Sequence, residues 1–354
     1  MTLSRGAIGN LVNRYRAVLR KCRMMNVFGS LAVAGMLVAG NAGFAGAEEL
    51  SGDISPISLS GDTRNIIGVG DISLRSTEPA LRYLINVSGQ GQLDISMSNG
   101  SSMAVGHADG IYLKDYSDYD QYASAFHVAG SGSSGSFVGT GTFSMVGGGK
   151  LLGVCAFLSE SKGTLTLSGD ITGEAEAVMN GSNGYASFAA AAAGGNLVFG
   201  GDRTTLRAKA STGNNANGAF VKYGGMIDFA SKSVLIESKN TDSSSVGINC
   251  ADGTVKTSAD TDLDIVVEGN KATTGIQLTA SSSDVQLAGN LDLTATQTGQ
   301  DSFASVLGIS NDSGKMVVSG PTSLRLATNA PFDAKGITAS GKADMSFLGD
   351  VEIA

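Results

Sequence analysis

A period of about 29 residues runs through the second half of the chain, and no other feature limits the possible fold as strongly. Short apolar segments begin at Leu197, Met226, Val255, Val285, Met316 and Met345, in steps of 29, 29, 30, 31 and 29 residues. A second series begins at Leu206, Val234, Leu263, Leu291, Leu324 and Val351, in steps of 28, 29, 28, 33 and 27. A third is a glycine followed by an apolar residue at Gly247, Gly275, Gly308 and Gly336, with weaker versions at Gly110, Gly153, Gly184 and Gly218. Three strand positions that advance together describe a three-sided coil. One coil cannot bury its own apolar side chains, whereas stacked coils bury a continuous core.

The segments alternate apolar with polar residues, as LDLTA and VQLAG do, so one face turns inward and the other to solvent. Stacking then pairs each strand with its parallel neighbour about 4.8 Å away. The fold expected is all-β, a parallel β-helix, right-handed by the rule for parallel crossovers. An antiparallel sandwich also has short alternating strands, but it does not require three series to share one step. Each repeat glycine is expected at a tight corner with φ > 0, just before a residue turns inward.

The first 47 residues differ in kind. Arg5, Arg14, Arg16, Arg20, Lys21 and Arg23 precede any acid, and VFGSLAVAGMLVA leads to the small residues Ala45, Gly46 and Ala47. This is the layout of a secretory signal peptide cleaved after Ala47; a retained signal anchor is the alternative. The organisation expected is a leader over 1–47, N-terminal coils with a cap-like loop over 48–150, and regular repeats over 151–354. Without the leader, 18 basic residues face 32 acidic ones, a net charge of −14. Nucleic-acid binding, which needs clustered Lys and Arg, is not expected.

The sequence offers little for catalysis. Cys155 and Cys250 lie about three coils apart, too far for a disulfide, and are expected as separate buried thiols. His107 and His127 are the two histidines, and no zinc spacing, nucleophile elbow or P-loop accompanies them. No cofactor is expected. Asp260, Asp262 and Asp264 alternate, which on a strand places them on one face, and Asp115, Asp118 and Asp120 crowd a tyrosine-rich loop. Either group could offer carboxylates to Ca²⁺ or be a solvated surface. Tyr112, Tyr116, Tyr119 and Tyr122 form a candidate surface-binding cluster, or alternatively the plug of a cap.

The leader, the acidic Gly/Ser/Asn/Thr-rich composition and the coil repeats together resemble the passenger region of Gram-negative autotransporters; NRYRAVLRKCR (Asn13 to Arg23) is similar to the extended basic leader of many of them. The resemblance implies export, display at the outer membrane, and service as a non-enzymatic adhesin or scaffold. Its partners would be a protein or glycan on a host or neighbouring cell, with an outer-membrane translocator in cis or in trans. The chain departs from the family pattern in having no C-terminal barrel-like strands and in stopping mid-repeat at VEIA, which suggests a fragment or a separate translocator. No functional residue carries over. A β-helical polysaccharide lyase or glycosidase is the alternative, with the alternating aspartates as its only candidate residues.

Overall fold

The computed structural model describes residues 47–354 except 79–80, 108–110, 114–121, 150–152, 179–185, 212–214, 301–304 and 330–333; for 111–113 and 149 it describes the backbone alone. Among the described residues there is no helix, and all but one isolated bridge of the strand pairings are parallel. Each coil contributes one strand to a ten-stranded sheet and one long or two short strands to an eighteen-stranded sheet. The stack is a β-solenoid. Long strands such as Thr164–Ala177 and Asn196–Ala210 bend to serve two sides of the coil. Later coils split that span in two, as Gly253–Thr257 and Asp262–Gly269 do. Ser134–Gly149 lies beside Thr164–Ala177, in register from Ser134 to Gly147.

The core follows from the alternation. In Asp262–Gly269, Leu263, Ile265 and Val267 are buried between exposed Asp262, Asp264 and Val266. Register stacks like on like, for example Ile236, Ile265, Leu293, Leu324 and Ile353 in one column. Phe126, Phe143, Phe157, Phe199 and Phe229 form an internal aromatic pile with successive centroids 5.1–6.0 Å apart. Such pairs add about 0.5–1.5 kcal/mol each beyond their buried area. The final coil is less sheltered: Val351 and Ile353 are 40% and 52% exposed.

The repeat glycines do not occupy corners. Gly153, Gly218, Gly247, Gly275, Gly308 and Gly336 all lie within strands of the ten-stranded sheet, and none has positive φ. Gly110 and Gly184 are outside the described residues. Gly153 is also out of register with the rest, because it pairs with Ala186 and Tyr122. The positions that match Gly218 in earlier coils are Ala189, Ala156 and Ala125, each set between the same flanking pairs. At this column the alternation slips and two successive residues are buried, Gly247 with Ile248 and Ala156 with Phe157.

The column therefore selects for small volume. A methyl on Gly247 would press on Ile265 Cγ2 of the opposing wall and lie 2.6 Å from the Gly275 carbonyl; one on Gly275 would lie 2.5 Å from the Gly308 carbonyl. Positive φ is found elsewhere, among other places after most strands of the ten-stranded sheet, at Gly132, Gly194 and Gly224 for example. Gly247→Ala is expected to destabilise by about 1–3 kcal/mol through overpacking. Urea unfolding checks this, and a loss within error would mean the column accepts a methyl group.

Candidate functional site

The outer face of the ten-stranded sheet carries a group of aromatic and titratable side chains over successive early coils. Elsewhere that face bears small polar residues such as Asn249, Thr274, Gln277 and Ser310. Here it holds Tyr122, Cys155, Leu158, Phe188 and Ala191, a buried cluster distinct from the core, with Tyr83, Ala186 and Phe220 packed against it. Stacking brings them together: Cys155 pairs with Phe188, and Leu158 with both Ala191 and His127. Phe188 and Phe220 stack at 4.8 Å, and Tyr122 meets Phe188 edge-on at 6.0 Å.

His127 joins three coils. Its Nδ1 lies 2.8 Å from Asn86 Oδ1, its Nε2 lies 3.0 Å from Glu160 Oε2, and its ring stacks on Tyr83 at 4.0 Å. Burial, reinforced by the Glu160 carboxylate, pushes the Tyr83 hydroxyl up to about 12. The same two causes hold the Cys155 thiol well above its ordinary range. Both groups stay protonated at neutral pH, and His127 is committed to its partners on either side. The arrangement ties coils together and leaves no activated nucleophile.

Lys222 extends from the edge of this cluster. Its Nζ lies 4.6 Å from the Tyr223 ring centroid, 5.2 Å from Tyr122 and 5.7 Å from Phe220. Tyr122 is thus a buried neighbour of Phe188 and not a surface tyrosine. Tyr116 and Tyr119 are outside the described residues, as is the side chain of Tyr112, whose backbone lies in the strand Ile111–Leu113. Asp115, Asp118 and Asp120 are outside them too.

The walls of the eighteen-stranded sheet carry charges matched from coil to coil. Arg207 bridges Glu174 at 3.2 Å and Glu237 on the next coil. Lys256 meets Asp228 at 2.9 Å, and Lys239 meets Glu268 at 2.9 Å. Exposed pairs of this kind are worth about 0.2–1 kcal/mol each, and their spacing favours one register over a slipped one. Asp262 and Asp264 share one exposed face, but Asp260 lies in the preceding turn. Asp264 pairs in register with Asp292, which is 3.9 Å from Arg325. These acids follow one another along the wall. Among the described residues, no three His, Cys, Asp or Glu side chains are grouped to hold a metal ion.

Cys155 and Cys250 are free, buried thiols. They are not equivalent: Cys155 belongs to the outer cluster and Cys250 to the core. Burial raises Cys250 to about 11, against a lowering by its hydrogen bond to Ser283. A shallow depression of about 310 Å³ lies on the other sheet, lined by Arg75, Gly106, His107, Thr142 and Ser144 among others. His107 Nε2 is 2.9 Å from the Glu78 carbonyl, and its Nδ1 is buried without a partner among the described residues.

Two outcomes are expected. Neither thiol reacts with Ellman's reagent at pH 8 until urea is added; reaction in the folded protein would contradict the burial and raised pKa. Asp264 is raised by burial first, then by Asp292 and Asp262. An acid raised by folding costs stability above its folded pKa, and that cost disappears below the unfolded value of about 3.9. Asp264→Asn should therefore stabilise at pH 7, by less than about 1 kcal/mol because solvent screens the group. The gain should vanish below about pH 3.5, as urea midpoints at the two pH values will show.

No family model matches the chain, and no curated protein or solved structure is similar to it.

Proposed function

We propose that the protein is a non-enzymatic, exported scaffold that works at or outside the cell surface, in the manner of an autotransporter passenger. The observation that carries this reading is the use made of the polar side chains. Several carboxylates and bases on the walls form rung-to-rung pairs, as Glu174–Arg207–Glu237 do, and His127 is held by Asn86 and Glu160. This is the economy of a rigid stalk with a patterned exterior. Function then lies in contacts made by the outer surface.

The leader supports export. The first strand, Glu48–Ile54, begins one residue after the small-residue site at Ala45–Ala47, so cleavage there leaves the whole described fold intact. The partner would be a protein or glycan of a neighbouring or host surface, and an outer-membrane translocator would act in cis or in trans. Expression of the full chain in a Gram-negative host, followed by cell fractionation and N-terminal sequencing, tests the reading. The expected product begins at Glu48 and lies outside the inner membrane. A cytoplasmic product that begins at Met1 would overturn it.

A further inference from the structure

The corner that follows each strand of the ten-stranded sheet is itself a ladder. Backbone hydrogen bonds climb from coil to coil there: Gly130 N–H to the Glu160 carbonyl, Lys162 N–H to Gly194, Gly194 N–H to Lys222 and Gly224 N–H to Asp252, at 2.6–3.2 Å. The geometry calls for left-handed backbone, which glycine adopts at least cost. Gly132, Gly194 and Gly224 supply it, with φ of 84°, 73° and 71°. Yet among the described residues all four non-glycine residues with positive φ also lie at this corner: Gln90 at 72°, Ser161 at 50°, Lys162 at 69° and Tyr223 at 56°.

They are not scattered. Gln90, Ser161–Lys162 and Tyr223 belong to alternate coils, separated by coils that place glycine at the same corner. By register Gln90 and Lys162 hold the second place of their three-residue corners and Tyr223 the first place of its own, on coils two rungs or about 9.6 Å apart. Gln90, Ser161 and Lys162 are exposed, and Tyr223, in the turn that follows the strand Asn215–Lys222, is 70% exposed. A bulky residue in left-handed backbone is strained, and strain that persists in a fold gathers where side chains are used. Glycine would relieve it at every one of these positions.

The chemistry of the edge is specific. The Tyr223 ring is open on the surface with an ammonium beside it, since Lys222 Nζ is held 4.6 Å from its centroid. Neither Lys222 nor Lys162 is among the ion pairs formed by described residues, as is also true of Lys209, Lys271 and Lys315, whereas Lys232, Lys239 and Lys256 are in them. An aromatic face, an amide and two ammonium groups spread over successive coils, with the carboxylates of Glu160 and Asp252 at the same corners, suit an extended, polyhydroxylated ligand with spaced negative charges. We propose that this edge binds an extended acidic polysaccharide laid parallel to the solenoid axis. Tyr223 stacks on a sugar ring, Lys222 and Lys162 meet its carboxylates, and Gln90 bonds its hydroxyls. A protein partner fits less well, because apart from Tyr223 the exposed residues of the edge, Gln90, Ser161 and Lys162, are polar and the apolar cluster beside Lys222 is buried. The proposal rests on the exported-scaffold reading, which brings the edge into contact with extracellular glycans.

The test uses the purified full chain in calorimetry and affinity electrophoresis against polygalacturonate and alginate, with dextran as the neutral control. The polyuronates should bind, less tightly as salt rises, and dextran should not. Tyr223→Gly and Lys162→Gly should each weaken binding about tenfold while raising the thermal midpoint, because glycine relieves the left-handed backbone. A merely structural corner would show the rise in midpoint with unchanged binding, which overturns the proposal. So would failure of the wild type to bind either polyuronate, or capture of a protein that depends on Tyr223 with no polyuronate binding. Fractionation is a separate readout, so failed export with intact polyuronate binding would overturn the exported-scaffold reading and leave the edge assignment standing.

Discussion

Every coil must bring its backbone within parallel-strand distance of the next, and this close approach governs the rest of the structure. Two positions in the coil feel it most. Inside the bend of the ten-stranded sheet, the column Ala125, Ala156, Ala189, Gly218, Gly247, Gly275 admits only small side chains, because the opposing wall and the next coil's carbonyl occupy the remaining space. At the following corner, backbone bonds join coil to coil, and in the earlier coils the turn is left-handed. Core residues, wall charges and the outer cluster are then placed by a register that these two columns maintain.

The period and the strand series were legible because alternation and turns leave a trace in one dimension. Val255, Val285, Met316 and Met345 do share a column. The register was only partly legible. Ile227 occupies the place expected for Met226, and Leu206 and Leu324 sit two residues on from the column of Val234, Leu263 and Leu291. Both Val234 and Ile236 point inward, so period-two patterning cannot choose between them. The glycine series was visible but its cause was misassigned, since the column asks for small volume and alanine meets that need in earlier coils. The true corners escaped notice because Gln, Lys and Tyr share them with glycine.

The outer cluster was the least legible part. Tyr83, Cys155, Phe188 and Phe220 are separated by roughly one coil or more, and each looks like an isolated apolar residue on a polar face. Only the stack makes them neighbours. Tyr122 shows the same limit: among other tyrosines in the sequence it suggested a surface loop, and in the fold it is an edge partner of Phe188. A hydrophobic residue on the outward phase of a strand signals a second contact layer, but the outward phase is known only after the bend has been located.

The aromatic pile makes the solenoid mechanically uneven. Phe126 to Phe229 bind the earlier coils through ring contacts, whereas later coils rely on aliphatic columns such as Ile265, Leu293 and Leu324. Coil-to-coil coupling in such a stack is a nearest-neighbour sum, so tension applied at the C-terminal side would peel one coil at a time. Each event would release about 29 residues, or roughly 100 Å of extended chain. Peeling would then slow at the Phe229 coil, so the length released at low force would be set by where the phenylalanines stop.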